Sequence, residues 1–574
     1  MINKELSHIF NNIADILELK NDNPFRIRAY RKAALIMEEL SEEVTSLIAS
    51  GKLKDMPGIG KDLYAKIEEY IRTGKIETYE ELKKEFPRGL LDILYIPGVG
   101  PKTAKLLYDR YGIDSIEKLE EYATAGKLKD IKGIKDKTIA NILKGIALRK
   151  SIQGRFPLGT ALPIGEMIVN ELKGVKGVSS IELAGSIRRR KETVGDIDIL
   201  VISEEPEILM DKFVSLKEIE RVLSKGSTRS SVILKDTHIQ VDVRVVEKES
   251  FGAALAYFTG SKAHNIKLRE IAIKKGYKLN EYGVFDLKKD KKIAGATEKE
   301  VYDILGLQFV PPEIREDQGE IELALEHKLP NLIDIQDIRG DVHMHTTYSD
   351  GNSTIEQMAA HAQSLGYDYI AITDHSQSLG VARGLDPDRL GSQMKEIDVF
   401  NDTHKGIKVL KGMEVDILSD GSLDMDTGLL DRLDIVIGSI HSGFKQSKEQ
   451  ITKRLIKAME TGLVDLIGHP SGRLIGERDA YEVDWDAVFS AAKKYNVAME
   501  INSYPLRLDL TDTMIKIAHE RGLKFMITTD SHDPQQMRYM AYGVSVARRG
   551  WLEKDDVINT KGYKDFIKWL KGNR

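Results

Sequence analysis

Cysteine is absent from all 574 residues. No disulfide can staple this fold and no thiolate can hold a metal, so metal binding must pass through histidine and carboxylate, and the chain suits a reducing interior. Long apolar runs are missing too: none approaches the roughly 18–20 residues that a membrane-spanning helix needs. The first residues, Met1-Ile-Asn-Lys-Glu-Leu, carry no signal-peptide pattern. A soluble, cytoplasmic protein with no membrane partner is expected. The residues are 41% hydrophobic and 30% charged, which argues against disorder. At roughly 150 residues per domain, the length suits about four domains.

A net charge of -5 conceals a division. Residues 1–315 carry 54 Lys and Arg against 48 Asp and Glu, whereas residues 316–574 carry 31 against 42. A mildly basic front suits a polyanionic partner, and an acidic back suits bound cations. Between them, Pro311-Pro-Glu-Ile-Arg-Glu-Asp-Gln-Gly-Glu reads as a linker.

The back holds nine candidate ligands: His343, His345, Asp350, His375, Glu414, His441, His469, Asp530 and His532. Several follow short apolar runs such as Ile370-Ala-Ile-Thr and Phe525-Met-Ile-Thr. Imidazole and carboxylate suit hard or borderline divalent cations, and ligands at strand ends suggest the mouth of a barrel. Arg383, Lys445 and Arg473 stand nearby in sequence as candidate phosphate receivers. His361, His404 and His519 lack ligand spacing and read as structural.

The front repeats one design twice. Met56-Pro-Gly58-Ile-Gly60 and Ile96-Pro-Gly98-Val-Gly100 each precede a helical pattern, and Gly133-Ile-Lys135 is a weaker third copy. The glycines allow a tight turn that offers backbone N–H groups to a phosphate at a helix start. Further along, Gly185-Ser186-Ile-Arg188-Arg189-Arg190 leads to Gly195-Asp196-Ile-Asp198, with Asp242 in a later strand pattern. Asp196 and Asp198 are two apart in an alternating run and so share a face. Three carboxylates placed together can hold two magnesium ions for in-line nucleotidyl transfer.

The two front repeats resemble the helix-hairpin-helix motif, which holds nucleic-acid backbone without reading its sequence. Arg26-Ile-Arg28-Ala-Tyr30-Arg31 and the first repeat resemble the small lyase domain of DNA polymerase beta. In that resemblance Lys66 falls on the Schiff-base lysine, Tyr30 on an aromatic of its pocket, and Asp62 replaces an expected lysine. Gly-Ser with Gly-Asp-x-Asp is similar to the nucleotidyltransferase superfamily, and Tyr257-Phe258-Thr-Gly260-Ser261 narrows the resemblance to family X DNA polymerases over about residues 1–315. It implies Ser186, Arg189 and Gly195 at the triphosphate, Tyr257, Phe258 and Gly260 at the sugar, Asn265 at the base edge and Arg269 on the template side. Ala161 stands close to where some relatives place a further arginine. Residues 337–574 resemble the polymerase and histidinol phosphatase (PHP) domain, a distorted barrel holding three metals, with Glu414 as the bridging carboxylate.

The expected architecture is multidomain. A lyase-like helical domain occupies residues 1–82, a second helix-hairpin-helix subdomain 83–152, an α+β nucleotidyltransferase palm 153–258, a mixed thumb 259–315, a linker 316–336 and a distorted α/β barrel 337–574. The expected activity is filling of short gaps in DNA repair, with a second site acting as 3'-5' exonuclease, abasic-site endonuclease or 3'-phosphatase. Expected cofactors are Mg2+ or Mn2+ at the polymerase site and three divalent metals, Mn2+, Zn2+ or Fe2+, in the barrel. Expected partners are gapped or nicked duplex DNA and deoxynucleoside triphosphates, met by a monomer. Alternatives for the barrel are a small-molecule phosphoesterase or a metal-stabilised module without catalysis.

Overall fold

The computed structural model describes residues 2–573 except 21, 40–43, 50–51, 56–58, 95, 97–98, 132–133, 135–137, 141, 144–145 and 147–153. The chain divides into two compact units, Met1–Gln153 and Gly154–Arg574.

The first unit is helical. In helix Ile2–Leu19, Leu6, Phe10, Ile13, Ala14 and Leu17 recur at helical spacing, and this stripe packs with Tyr30, Ala33 and Met37 of helix Pro24–Glu39 and with Leu63 and Ile67. A second core gathers Leu90, Ile93, Ala104, Leu107 and Leu119. Gly60 and Gly100 are the N-caps of helices Lys61–Thr73 and Pro101–Tyr111, with nearly identical backbone angles, φ -79°, ψ 170° and φ -82°, ψ 170°. Neither needs positive φ, and nothing lies within 4 Å of where a Cβ would stand. These two glycines therefore serve by leaving the helix start uncovered. Gly58, Gly98, Gly133 and Lys135 lie outside the described residues.

The second unit opens with a five-stranded sheet. Its strands are β1 (Val178–Leu183), β2 (Asp196–Ser203), β3 (Ile219–Lys225), β4 (Arg229–Leu234) and β5 (Gln240–Val245), in the order β1-β2-β5-β4-β3. Only the central β2–β5 pair is parallel. Ile197, Ile199 and Val201 of β2, with Val241 and Val243 of β5, join a core that includes Ile168 and Leu172 of helix Leu158–Lys173 and Leu209 and Phe213 of helix Pro206–Val214. Since side chains alternate along a strand, burying that face turns Asp196, Asp198 and Asp242 to the other. Helices Phe251–Thr259, Lys262–Lys274 and Glu298–Ile304 and a three-stranded antiparallel sheet follow.

Residues 316–336, expected as a linker, instead hold a short helix, Glu320–Leu325. Its Ile321 and Ala324 pack with Leu268, Tyr302 and Leu305, and Glu320 accepts from the fully buried His264 at 2.7 Å. Charge in this segment had suggested solvent exposure. Here it caps and pairs, so the join is anchored.

The remainder is a parallel sheet of seven strands in chain order: β6 (Gly340–Asp341), β7 (Tyr369–Ile372), β8 (Lys408–Asp416), β9 (Ile435–Ser439), β10 (Leu466–Ile467), β11 (Ala498–Asn502) and β12 (Phe525–Thr528). Just past β6 and β12, Met344 and Ser531 form a parallel bridge that brings the two edges together. The sheet is thus a nearly closed barrel. Its inner core joins Ala371, Leu410, Ile437, Leu466 and Met526 to Phe566 and Leu570 of the C-terminal helix Tyr563–Asn573, and the helices wrap a larger outer core. Among the described residues no helix is long and apolar enough to cross a membrane.

Candidate active sites

The first site lies on the exposed face of β2 and β5. Register pairs Asp198 directly with Asp242, and carboxylate oxygens of Asp196, Asp198 and Asp242 all lie within 4.8 Å of one another. Burial, with Asp196 and Asp242 alongside, pushes the Asp198 carboxyl up to about 7. Burial and Asp242 raise Asp196 as well. Like charges crowded in this way fit a divalent cation. Asp242 is oriented by Ser231 and by Gln240 Nε2 at 2.7 Å. Gly185 lies directly behind Asp198: its φ is +64°, and an added Cβ would meet Asp198 Oδ2 at 2.6 Å. A side chain here would displace a ligand, which makes this glycine part of the site.

The second site fills the barrel mouth. His343 and His345 follow β6, His375 follows β7, Glu414 lies within β8, His441 follows β9, His469 follows β10, and Asp530 and His532 follow β12. Leu410 faces the barrel interior, and Glu414, four residues on, shares its face. Glu414 is the hub. Its oxygens stand 2.7 Å from His375 Nδ1, 2.9 Å from His469 Nε2, 3.3 Å from His441 Nε2, 3.5 Å from His343 Nε2 and 3.7 Å from His345 Nε2. Asp530 approaches His345 at 3.2 Å, and Asp350 approaches His532 at 3.4 Å and His375 at 3.6 Å.

Three overlapping clusters result: His345, Asp350, His375 and His532; His343, His345 and Asp530; and His375, Glu414 and His441. Among the described residues, His343 Nε2, His345 Nδ1, His375 Nδ1 and Glu414 Oε2 are buried without a hydrogen-bond partner. Buried orphan donors and acceptors are costly, and divalent cations fit such a set. Burial, with His375 and His532 adjacent, drives the His345 imidazole down to about 3. Burial disfavours ionised Glu414 as well, yet the surrounding imidazoles hold its carboxyl well below the usual range.

A second layer, not anticipated from the sequence, holds these ligands. Glu500 of β11, wholly buried, accepts from His343 Nδ1 at 2.5 Å and also from the His469 backbone N–H. Asp416 accepts from His441 Nδ1 at 2.7 Å. A carboxylate on one ring nitrogen presents the other to a metal. Asp374 accepts from Thr346 N at 2.8 Å and Ser349 N at 3.1 Å, shaping the loop that carries Asp350.

With both sites described, the chain can be set beside known proteins. Residues 1–76 match the family described as a helix-hairpin-helix domain and 90–148 a SAM-like helix-hairpin-helix tandem. Residues 254–316 match the DNA polymerase beta thumb and 341–504 the PHP domain. The DNA polymerase/3'-5' exonuclease PolX of Bacillus subtilis (strain 168) is 41% identical over 574 residues, all of both chains. The chain belongs to the family X DNA polymerases with a C-terminal PHP domain. Two further relatives match only part of this chain. "DNA polymerase lambda" of Arabidopsis thaliana is 25% identical over 55% of this chain and 62% of its own, and "Probable phosphatase Teth514_1060" of Thermoanaerobacter sp. is 30% identical over 40% of this chain and 95% of its own.

In this family X polymerase, the other residues singled out by sequence fall in several places. Ser186 lies in the short helix Gly185–Arg188 beside the carboxylates, and Gly195 immediately precedes β2. Tyr257, Asn265 and Arg269 line one small pocket with Asn280, and Asn265 donates to the Tyr257 carbonyl at 2.7 Å. The Phe258 ring lies under the Arg244 guanidinium at 4.6 Å. Gly260 has φ +72°, and an added Cβ would stand 3.1 Å from Arg189 Nη1. Ala161 is wholly buried in helix Leu158–Lys173. Arg155 is the cation nearby: its Nη1 comes within 3.8 Å of a Cβ placed on Gly195, and its charge opposes the rise at Asp196.

The three candidate phosphate receivers of the barrel fall in different places. Arg473 turns to the palm, donating to Glu192 at 2.7 Å and to the carbonyls of Arg507 and Leu508, while Arg383 and Lys445 are exposed. A further cation lies at the ligand cluster: Arg507 Nε stands 3.4 Å from Asp530 Oδ2, and among the described residues its buried Nη1 has no hydrogen-bond partner. It follows β11 as the metal ligands follow their strands, a positional signal available in the sequence. In the first unit, Lys66 pairs with Asp62 at 2.5 Å, and the Tyr30 ring is core, 6.0 Å from Phe10.

Proposed function

We propose that this chain fills short gaps in DNA during repair and hydrolyses DNA phosphoesters at its second site, trimming 3' ends as a 3'-5' exonuclease. The observation that carries the reading is the pairing of two separate ligand clusters, on palm and barrel, in a chain that aligns end to end with a polymerase/3'-5' exonuclease. Asp196, Asp198 and Asp242 hold Mg2+ or Mn2+. Ser186, Arg189, Arg155 and Gly195 receive the triphosphate, Tyr257, Phe258 and Gly260 the sugar, Asn265 the base edge, and Arg269 the template side. The uncovered helix starts at Gly60 and Gly100, with Gly58 and Gly98 two residues before them in sequence, hold DNA backbone and supply no sequence preference. Lys66, engaged by Asp62, contributes little lyase chemistry.

In the barrel, His343, His345, Asp350, His375, Glu414, His441, His469, Asp530 and His532 would hold three divalent ions, Mn2+, Zn2+ or Fe2+, around the central carboxylate of Glu414. Ions so placed supply Lewis acidity toward phosphate oxygens and lower the pKa of a bound water. Arg507 steadies a phosphate oxygen. Abasic-site incision and 3'-phosphate removal are further reactions of the same chemistry. The protein works as a cytoplasmic monomer.

The test is a labelled gapped duplex with a normal or abasic 3' end, incubated with and without nucleotides across Mg2+, Mn2+ and Zn2+. Asp198→Ala and Asp242→Ala should abolish extension and keep trimming, and His343→Ala should do the reverse. Loss of both activities in one variant would overturn the two-site reading. A second reading, small-molecule phosphoesterase action, is favoured by the "Probable phosphatase" relative, which matches 40% of this chain over 95% of its own length. Phosphate release from sugar phosphates with labelled DNA left intact would select it.

A further inference from the structure

Arg189 stands where palm, thumb and barrel meet. Its Nε donates to Glu316 Oε1 at 3.0 Å, and its Nη1 donates to the Thr259 carbonyl. Two of its three nitrogens are thus held, and among the described residues Nη2 is the donor left for a phosphate. Its side chain is 13% exposed and that of Glu316 15%. Neither is an ordinary solvated charge.

Glu316 has a second owner. Arg549, the last residue of helix Met540–Arg549 in the barrel domain, donates Nη1 to the same Glu316 Oε1 at 3.2 Å. That Nη1 also reaches the carbonyl of Arg189 itself at 2.7 Å and the Glu313 carbonyl at 3.1 Å. The other edge of Arg549 grips Asp512 Oδ2 at 2.8 and 2.5 Å. The Arg549 side chain is only 4% exposed, and next to it Arg548 holds Glu313 at 2.8 Å. A few residues on from Arg189, Glu192 is held by the barrel's Arg473. Backbone and guanidinium of Arg189 are therefore both fixed by one arginine of the other catalytic domain, directly and through one shared carboxylate oxygen.

We infer that Arg549 and Glu316 are positioning residues for nucleotide addition, through which the barrel domain sets where Arg189 offers its guanidinium to an incoming triphosphate. This rests on the reading of Arg189 as a triphosphate contact. Arginine has several rotatable bonds, and one not held in place pays for its ordering when the ligand binds. That cost falls on nucleotide affinity rather than on the chemical step.

The experiment is steady-state gap filling by the full-length enzyme, with KM for the nucleotide and kcat measured separately and DNA trimming measured on the same preparations. Arg549→Met and Glu316→Ala should raise the nucleotide KM about three- to tenfold with kcat within about twofold, the range expected for ordering one long side chain. Trimming should stay unchanged. Glu316→Gln should recover most of the loss, because both arginines donate to one oxygen and an amide oxygen can accept both bonds. Arg189→Ala is the reference. If it raises KM while Glu316→Ala and Arg549→Met do not, the inference is overturned. If Arg189→Ala itself leaves KM unaltered, the triphosphate assignment has failed, and the inference falls with it. Should Arg549→Met not fold, the Glu316 pair decides alone: equal defects in Ala and Gln variants, or parallel loss of kcat and trimming, would reduce both residues to domain glue.

Discussion

Replacing Glu500 with glutamine tests whether the barrel's second layer governs its chemistry. The change is nearly isosteric, so packing is preserved and the hydrogen-bond inventory decides the outcome. Every neighbour of this carboxylate donates: His343 Nδ1 at 2.5 Å and Thr528 Oγ1 at 2.6 Å to one oxygen, and the His469 N–H and Asn502 Nδ2 at 3.2 Å to the other. An amide has one oxygen for two donor pairs. With NH2 toward His343, the ring must move its proton to Nε2, the atom that faces Glu414 and Asp530, and it ceases to be a ligand. With NH2 toward His469, a buried backbone N–H loses its acceptor. Either way one charge-assisted bond worth about 1.5–3 kcal/mol is lost, which at 1.4 kcal/mol per decade is roughly 10–100-fold. The assay is metal content by elemental analysis, with trimming of a labelled 3' end and extension on a gapped duplex in parallel. Trimming or metal affinity should fall about 10–100-fold with extension unaltered. Both values within twofold of the parent would refute the reasoning.

Further tests separate the remaining assignments. Gly185→Ala should cut extension by more than about tenfold while trimming persists, since the added methyl lands 2.6 Å from Asp198 Oδ2 at φ +64°; full extension would show that Asp198 can move. Arg507→Ala should lower trimming about 10–100-fold, the range for one charge-assisted contact, with partial recovery in Arg507→Lys; no change would remove Arg507 from the reaction. Glu298→Gln should destabilise the fold by about 3–5 kcal/mol, because it strips the partner of Arg188 and of the fully buried Arg315; urea unfolding within about 1 kcal/mol of the parent would contradict this. Burial opposes ionisation of Glu298, yet Arg315 and Arg188 hold its carboxyl at about 2, against 4.5 ordinarily. A depressed folded-state pKa gives stability that is complete above pH 4.5 and lost as pH falls toward 2. The acid limb of a pH–stability curve should therefore flatten in Glu298→Gln.

The sequence disclosed the ligands and concealed what holds them. His343, His375 and Asp530 were legible because polar donors directly after apolar runs have few other uses at the end of a buried strand. Glu500 sits inside Ala-Met-Glu-Ile-Asn, where alternation alone leaves open which face meets the metals; only the register with β10 and β12 turns it toward His343. Asp416 was closer to view, two residues beyond Glu414 and so on the same face of β8. Residues 316–336 misled because charge density normally marks solvent. Glu316 and Glu320 instead answer buried cationic or imidazole partners far away in sequence, Arg189, Arg549 and His264. Ile314, Ile321 and Ala324 between and beside them show the apolar spacing that contradicts a free linker. Arg155 was missed for a simpler reason. It precedes the helix where the arginine was sought, and the antiparallel pairing of Phe156–Pro157 with Thr193–Val194, not helix periodicity, brings it beside Gly195.

Enclosing palm and barrel in one compact unit gives the adding and removing sites a common frame, and its seams fall at informative places. Pro505 of the loop carrying Arg507 presses on Gly159, where an added Cβ would come within 2.3 Å of it. From the same side, Arg473 holds both the Arg507 carbonyl and Glu192. The palm thus supports the loop that sets Arg507 beside Asp530 of the barrel, while the barrel's Arg549 supports Arg189 of the palm. A tether alone would need none of this. Domains joined only for proximity meet through modest, mostly polar seams and move relative to one another. Here each domain completes the other's loop, so cutting the chain between them should impair both reactions even where both halves fold. Gly159→Val gives the milder form of that prediction: by displacing Pro505 it should depress trimming, whose residues lie entirely in the barrel, more than extension, whose residues lie on the mutated domain. The opposite ranking would show the seam to be passive.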